Sequence, residues 1–378
     1  MESTHLNYRQ KWRLKRRQKL IRQVPLIAGA ALVVVVVVAF SVRERKPQLG
    51  AVAWAHGDGT RGLPRLAVGR DRLIIAWERG TVTAHSPDTG EAVWSDAFQR
   101  SQGFVAPPAV GEDCVVFGAM DGFVKCLELA TGEVRWGYDA NALIRSTPVI
   151  VGDRVYVGTD DGRVVSLSIV DGVDAWIYPD ADRTGLGPIT GGPAISGDTL
   201  ACGATDRTIF GLDVSTGKER WRRRIDAPVM ARVTTANGLA YFAGETGVVE
   251  CVQVADGETV WKKRVPGLIR VPVLASASTV YVATSERLLF CFDAQSGDVV
   301  WNNTLRGRPT TSIVATTERV YLGTSDGMIQ AFSHASGKTV WRWRPGSKPL
   351  GDLLLSGDRV FCGTNSGRAF SVRVRGAD

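Results

Sequence analysis

The feature that most constrains the fold is a tryptophan that returns every 40 to 45 residues along most of the chain. Eight tryptophans form this series, and each has a glycine four residues before it. The tryptophans are Trp54, Trp94, Trp136, Trp176, Trp221, Trp261, Trp301 and Trp341, and the glycines are Gly50, Gly90, Gly132, Gly172, Gly217, Gly257, Gly297 and Gly337. A period near 40 residues indicates either propeller blades or stacked helical pairs.

Each repeat has the pattern of four short β-strands. In the third repeat the segments 147–151, 154–158, 163–167 and 174–177 are rich in β-branched residues and are separated by turn signals such as Asp-Gly. Helical periodicity is absent. Small residues stand 18 and ten positions before the tryptophans, at Ala76, Gly118, Gly158, Gly203, Ala243, Ala283 and Gly323, and at Ala84, Cys126, Ser166, Gly211, Cys251, Cys291 and Ala331. A large ring beside small residues is what close stacking of one sheet on the next requires.

The two ends of the repeat region complete each other. After Trp341 there is room for three strands, around Gly351–Leu355, Arg359–Gly363 and Arg368–Val374, but no further tryptophan strand follows. At the other end, Gly50–Trp54 is a tryptophan strand without companions. Joining them removes the open sheet edges. The sequence therefore predicts an all-β fold, an eight-bladed propeller with four-stranded antiparallel blades over residues 48–375, closed by its N-terminal strand.

The positive charge of the chain is concentrated at its N-terminus. The formal net charge is +8, but residues 1–23 carry a net +7 and residues 24–46 a net +2, which leaves residues 47–378 at −1. Because the propeller region is nearly neutral, the charge gives no support to a nucleic-acid partner.

An uncharged run of 19 residues, Val24–Val42, follows the basic segment. As a helix it would span about 28 Å, close to the thickness of the hydrocarbon core. We predict a basic cytoplasmic segment 1–23, a transmembrane helix 24–42 and a short linker 43–47, with the propeller in the periplasm or outside the cell. The alternative is a cleaved signal peptide, for which Ala39-Phe40-Ser41 offers a cleavage site.

The repeat signature, Ser, Thr or Asp followed by Gly-x-x-x-Trp, resembles the tryptophan-docking repeat of quinoprotein dehydrogenases and of the BamB outer-membrane assembly proteins. The resemblance covers the chain beyond Gly50 and implies a PQQ-like propeller. That architecture hosts both redox enzymes and cofactor-free scaffolds.

The enzyme alternative can be compared with the residues present. In alcohol-oxidising quinoprotein dehydrogenases the resemblance implies a disulfide between adjacent cysteines, and long insertions that form a lid. None of the six cysteines here is adjacent to another, and the even spacing leaves no room for such insertions. We therefore predict no catalytic, cofactor-binding or metal-binding residue and no cofactor. A degenerate PQQ-dependent dehydrogenase remains the alternative.

The candidate partner-binding loops lie around the fourth repeat. The longest spacing, between Trp176 and Trp221, contains the extra stretch 178–192, and the segment 142–146 precedes that blade. These segments are similar in placement to two loops by which BamB proteins contact the periplasmic domains of the barrel-assembly channel. On that resemblance Ile144 and Arg145 match an apolar-arginine loop, and Asp180 and Asp182 match an Asp-x-Asp loop. The segment Leu268-Ile269-Arg270 repeats the first motif, so solvated loop ends common to the repeat are the alternative.

These observations predict a non-enzymatic extracytoplasmic scaffold of the BamB type. It would act in outer-membrane or envelope protein assembly through a protein partner, such as a barrel-assembly channel with periplasmic domains. The alternative binding function is an envelope sensor or recruitment module with a different protein partner.

Overall fold

The computed structural model describes residues 52–57, 62–78, 80–97, 103–179 and 186–374. The strands in these ranges form eight separate four-stranded antiparallel sheets. Within the same ranges, no helix is long and apolar enough to cross a membrane. The predicted segments 1–23, 24–42 and 43–47 lie outside the described residues, as does Gly50.

The chain enters the fold with β1 (Val52–Gly57), which belongs to the last blade. Blades 1 and 2 are β2 (Arg65–Gly69), β3 (Arg72–Ala76), β4 (Thr81–His85), β5 (Ala92–Ala97), and β6 (Ala109–Val110), β7 (Cys114–Gly118), β8 (Phe123–Glu128), β9 (Val134–Asp139). Blades 3 and 4 are β10 (Val149–Val151), β11 (Arg154–Gly158), β12 (Val164–Ser168), β13 (Asp174–Tyr178), and β14 (Ala194–Ser196), β15 (Thr199–Gly203), β16 (Thr208–Asp213), β17 (Glu219–Arg224).

Blades 5 and 6 are β18 (Thr234–Ala236), β19 (Leu239–Ala243), β20 (Val248–Gln253), β21 (Thr259–Arg264), and β22 (Leu274–Ala275), β23 (Thr279–Ala283), β24 (Leu288–Asp293), β25 (Val299–Thr304). Blade 7 is β26 (Val314–Ala315), β27 (Arg319–Gly323), β28 (Ile329–Ser333) and β29 (Thr339–Trp343). The last three strands are β30 (Pro349–Ser356), β31 (Arg359–Thr364) and β32 (Arg368–Arg373). We call the four strands of a blade A to D from the innermost to the outermost.

Blade 8 is closed by the N-terminal strand, as the sequence predicts. Its strand order is β30, β31, β32 and then β1, with Trp54 opposite Ser371 and His56 opposite Ala369. The closing strand continues to Gly57, beyond the predicted end at Trp54, because His56 and Gly57 keep pairing with β32. The ring is thus fastened by an antiparallel pairing between the two ends of the repeat region.

One contact, repeated around the ring, packs each blade against the next. The indole of Trp221 lies over Gly257 of the following blade, where a Cβ atom would come within 2.6 Å of Trp221 Cδ2. Its Nε1 donates a hydrogen bond of 2.8 Å to the Val254 carbonyl of the same neighbouring blade. The equivalent tryptophan and glycine pairs are Trp54 with Gly90, Trp94 with Gly132, Trp136 with Gly172, Trp176 with Gly217, Trp261 with Gly297, and Trp301 with Gly337. In these seven pairs of described residues, the glycine of a repeat thus receives the tryptophan of the preceding blade.

The small residues ten positions before the tryptophans lie directly opposite them in the sheet. Gly211 pairs with Trp221, and a Cβ atom at Gly211 would lie 2.3 Å from Trp221 Nε1. Just beyond this pair the register shifts by one residue, because Leu212 pairs with Glu219. A bulge of this kind increases the local twist and re-aims a side chain. The same register shift occurs beside the tryptophan in each of the first seven blades.

Two histidines meet at the seam between blade 8 and blade 1. The rings of His56 and His85 are 4.4 Å apart, and both donate to the carbonyl of Gly90, His85 through Nδ1 at 3.0 Å. His85 is buried. Burial lowers the pKa of His85 below its ordinary value, and the neighbouring His56 adds to the decrease. A neutral His85 imidazole is therefore part of the closed seam.

We expect the propeller to lose stability as the pH falls below about 6.5, the ordinary pKa of a histidine. Below this pH the unfolded chain takes up a proton at His85 more readily than the folded chain does. The contribution of His85 to the free energy of unfolding is therefore complete above about pH 6.5 and decreases below it. Urea unfolding at about pH 7.5 and 5.5 would measure the effect. The decrease should be smaller in His85→Gln than in the native chain; an equal decrease in both would refute a role for His85.

Candidate functional site

The loops that join successive blades all open at one end of the ring. Neighbouring strands are antiparallel, so the D–A loops and the B–C turns share this end, which we call the loop mouth. The A–B and C–D turns lie at the opposite end, the far mouth. Binding residues in rigid scaffolds are concentrated on such clustered loops.

Ile144, one of the residues predicted to contact a partner, has no exposed surface. Its Cγ2 fills the space above Gly118, at 2.4 Å from where a Cβ atom of that glycine would lie. The side chain is therefore packed under the loop in this structure. Its neighbour Leu143 is 42% exposed and is the apolar side chain that the loop offers to solvent.

The buried position of Ile144 is a property of the repeat. Residues 32 positions before a blade's tryptophan are buried in five successive blades, at Phe104, Ile144, Ile189, Val229 and Ile269. Ile144, Ile189 and Val229 pack against the residues 18 positions before the tryptophan of the preceding blade, which explains why Gly118, Gly158 and Gly203 are small. Aligning the repeats and comparing the residues 32 positions before each tryptophan identifies Ile144 as a core residue from sequence.

Arg145 is held in place by a carboxylate of its own blade. Its Nε and Nη2 atoms lie 2.9 and 2.8 Å from the two carboxylate oxygens of Asp160, and its side chain remains 43% exposed. The backbone N–H of Asp160 also donates to the Leu143 carbonyl at 2.9 Å. A bidentate arginine pair combines charge with fixed geometry. Leu143 is therefore displayed on a loop that is fastened on both sides.

The repeated motif in blade 6 is fastened more weakly. Arg270 Nε lies 3.5 Å from Glu245 of the preceding blade, and the arginine side chain is 67% exposed. Leu268 is 37% exposed and Ile269 is buried, as in the first motif. The two Leu-Ile-Arg segments thus share their packing and differ in their electrostatic support.

Asp180 and Asp182 lie outside the described residues, so the Asp-x-Asp loop stays a prediction. The described residues on either side are Tyr178 and Leu186, which are both buried. Tyr178 donates its hydroxyl hydrogen to the carboxylate of Glu219 and accepts a hydrogen bond from Arg222. Burial, with the Glu219 contact, raises the pKa of Tyr178 to about 12. The base of this loop is therefore attached to the outer strand of blade 4.

Charged residues line part of the central channel: Arg65 and Asp352 lie in A strands, and Arg232 lies in the loop before β18. Arg65, Arg232 and Asp352 line a cavity of about 490 Å³ that opens to the loop mouth. Burial raises the pKa of Asp352 above its ordinary value, with Arg232 and Arg65 opposing the increase. Burial also lowers the pKa of Arg65. The channel combines opposite charges, without a cluster of nucleophiles.

All six cysteines lie in the described part of the chain. All six thiols are unpaired and buried. Burial raises the pKa values of Cys202, Cys251 and Cys362 to about 12, so these thiols remain protonated at neutral pH. Among the described residues, no group of three or more His, Cys, Asp or Glu side chains is placed to hold a metal ion.

The family model described as Outer membrane protein assembly factor BamB matches residues 78–228, 181–267 and 245–378. The matched segments together extend over most of the propeller. The chain belongs to this family of PQQ-like, BamB-type propellers.

Individual relatives agree with this assignment at low identity. The outer membrane protein assembly factor BamB of Shewanella oneidensis is 25% identical over 201 residues, which is 50% of this chain and 50% of that protein. The chain thus spans about half the length of the curated relatives it matches.

Solved structures show the same fold. BamB from Moraxella catarrhalis has a TM-score of 0.72 at 20% identity, covering 86% of this chain and 100% of that one. The quinohemoprotein alcohol dehydrogenase from Comamonas testosteroni also has a TM-score of 0.72, at 14% identity, covering 87% and 77%. An assembly factor and an oxidoreductase resemble this propeller to the same degree, so the architecture alone does not distinguish their functions.

Proposed function

We propose that this BamB-family propeller is a non-enzymatic, extracytoplasmic scaffold for outer-membrane or envelope protein assembly, and that it holds a protein partner at the loop mouth. The observation that carries the proposal is the fastened loop around Leu143. An exposed apolar side chain on a rigid support loses little conformational freedom on binding. The buried Ile144 and the Arg145–Asp160 pair supply that support.

The chemistry of the described residues favours binding over catalysis. The resemblance to alcohol-oxidising quinoproteins implies a pair of adjacent cysteines, which the sequence lacks. The thiols that are present are buried, and three of them have strongly raised pKa values. Added pyrroloquinoline quinone and calcium should therefore produce no dye-linked oxidation of alcohols or sugars. Oxidation that depends on the added quinone would establish the enzyme alternative instead.

The location we propose follows from the N-terminal sequence. A helix over 24–42 would anchor the chain in the cytoplasmic membrane, with the propeller on the outer side. The eight residues Arg43–Gly50 reach at most about 28 Å, so an uncut chain would keep the propeller near that membrane. The intact mass of the mature protein tests this location. A mass that corresponds to a chain beginning at Met1 supports the anchor, and a mass that corresponds to a chain beginning at Val42 supports cleavage.

Crosslinking from the loop mouth tests the proposed contact. A photoreactive residue at position 143 should capture a barrel-assembly channel in intact cells. Val151 provides a matched control, because it lies in the same blade at the far mouth and is 43% exposed against 42% for Leu143. Capture of a different envelope protein at position 143 would favour the sensor alternative, and equal capture from both positions would contradict the proposed site.

A further inference from the structure

A basic groove crosses the loop mouth at blades 6 and 7, about half a turn around the ring from Leu143. Its volume is about 920 Å³, large enough for a short peptide segment. It is lined by five cationic side chains, Arg270, Arg287, Arg306, Arg308 and Lys348, and by two acidic ones, Glu286 and Asp326. Residues 47–378 carry a net charge of −1, so this concentration of cations is local and does not reflect a basic domain.

Most of these cations have no partner within the protein. Among the described residues, the side chains of Arg287, Arg306, Arg308 and Lys348 form no ion pair or hydrogen bond, although many arginines elsewhere in the propeller do. Arg287, Arg306 and Arg308 are exposed at the mouth. Clustered like charges repel one another unless an anion lies between them.

The loop backbone that carries these side chains is held in a fixed arrangement. The N–H of Arg308 donates to Ser325 Oγ at 3.0 Å, and the N–H of Ser325 donates back to the Arg308 carbonyl at 2.8 Å. Lys348 and Asn365 form the same reciprocal pair, at 3.1 and 3.0 Å. The groove is therefore built from loops that are each fastened to the next turn, so little ordering remains to be done when a ligand binds.

Arg287 occupies a position at which six of the eight blades place glycine. The eight B–C turns all have a positive φ at the residue 14 positions before the tryptophan, or at its equivalent in blade 8. The residues and φ values are Gly80 (89°), Gly122 (90°), Gly162 (84°), Arg207 (74°), Gly247 (83°), Arg287 (61°), Gly327 (85°) and Gly367 (72°). A side chain in this region is strained, and glycine would remove the strain. Arg207 and Arg287 share this strain, and of these two residues it is Arg287 that lines the groove, where its guanidinium is placed to serve binding.

We propose that this groove binds an acidic peptide segment of a protein partner, with neighbouring Asp or Glu side chains placed against Arg287, Arg306 and Arg308. The planar guanidinium group binds carboxylates through two parallel hydrogen bonds. Glu286 and Asp326 disfavour a uniformly charged polyanion, whereas a peptide can turn its N–H donors toward them. The concave shape also fits a chain better than a flat layer of lipid headgroups. This inference does not depend on the contact proposed at Leu143.

A labelled ten-residue peptide of alternating glutamate and glycine is a suitable probe for the full-length chain in mild detergent. We expect binding that weakens with added salt and that is at least about tenfold weaker when glutamine replaces glutamate. The double variant R306E/R308E should lose about tenfold or more in affinity. The basic segment 1–23 contributes equally to every variant, so differences between variants report on the groove.

The matched control is K338E/R342E, which changes the charge by the same amount on exposed residues of blade 7 outside the groove. Its affinity should stay within about twofold of the native chain. Equal losses in both double variants would overturn the proposal, as would equal binding of the glutamine peptide. Tighter binding of anionic vesicles or single-stranded DNA than of the peptide, with the same dependence on Arg306 and Arg308, would also overturn it.

Arg287→Gly separates a binding role from a structural one. This variant should weaken peptide binding by about threefold or more. Its melting temperature should be equal to or higher than that of the native chain, because the backbone strain is relieved. A lower melting temperature with unchanged binding would show that Arg287 serves the fold, and would overturn its place in the binding site. If R306E/R308E does not fold, R306Q/R308Q provides the same comparison.

Discussion

Gly257→Ala is expected to lower the free energy of unfolding by about 2–5 kcal/mol. The added Cβ would lie 2.6 Å from Trp221 Cδ2 and 2.6 Å from its Cε3, within the face of the indole. The backbone at Gly257 has a φ of +75°, which already disfavours alanine. Neither the ring nor the turn can move easily, because Trp221 Nε1 is hydrogen-bonded to the Val254 carbonyl. Urea unfolding of the purified chain measures the change.

Gly238→Ala is the matched control in the same blade. Its φ of +74° is nearly that of Gly257, but a Cβ atom there would meet nothing within 4 Å. Gly238→Ala should lower the free energy of unfolding by only about 1–2 kcal/mol, the cost of placing alanine at a positive φ. The excess cost of Gly257→Ala then measures the contact between blades. Equal destabilisation by both substitutions would mean that the tryptophan contact does not constrain the glycine.

Trp54→Ala is expected to destabilise the propeller by about 3–5 kcal/mol, because it removes the ring that fastens the closing strand to blade 1. Trp54 lies over Gly90, donates from Nε1 to the Pro87 carbonyl at 3.0 Å and is 9% exposed. Loss of this contact leaves β1 held by its pairing with β32 and by the contacts of His56 with His85 and the Gly90 carbonyl. Urea unfolding and the rate of proteolysis within residues 52–57 should both report the change.

Trp54→Phe keeps an aromatic ring at the seam and removes only the Nε1 donor together with part of the buried area. We expect a smaller loss for this variant, about 1–2 kcal/mol. If the alanine and phenylalanine variants were equally stable, the indole ring would have no part in closing the propeller. If neither differed from the native chain, the seam would have to be held by another contact.

The fold was largely predictable because its main contact leaves a repeated mark in the sequence. Within the described residues, seven of the repeat tryptophans meet a glycine of the next blade, and the residue opposite each of them in its own sheet is small. Both requirements act on single residues at fixed offsets. The end of the closing strand was predicted less accurately, because His56 and Gly57 follow no repeated sequence pattern.

The candidate site was less predictable from sequence. Ile144 was chosen because it precedes an arginine in a loop, yet the same offset in other blades holds a buried residue such as Ile189 or Val229. The partner of Arg145 could not be inferred either, because Asp160 lies in a turn that comes near the loop only after the blade folds. The basic groove combines residues from three successive D–A loops, and no single motif indicates it.

The loop mouth therefore carries two surfaces of different chemistry. The loop around Leu143 offers an apolar side chain beside a paired arginine, and the groove of blades 6 and 7 offers unpaired cations. A partner with two binding segments could contact both at once, which would raise its overall affinity above that of either contact. The rigid ring keeps the two surfaces at a fixed separation.

Mild crosslinking of intact cells followed by isolation of the full-length chain tests the central claim most directly. We predict recovery of a barrel-assembly channel with the native chain and with Val151→Asp, and a loss of about tenfold or more with Leu143→Asp. Consistent absence of such a channel from the native chain, or equal recovery with both variants, would contradict a BamB-type scaffold that binds its partner at the loop mouth.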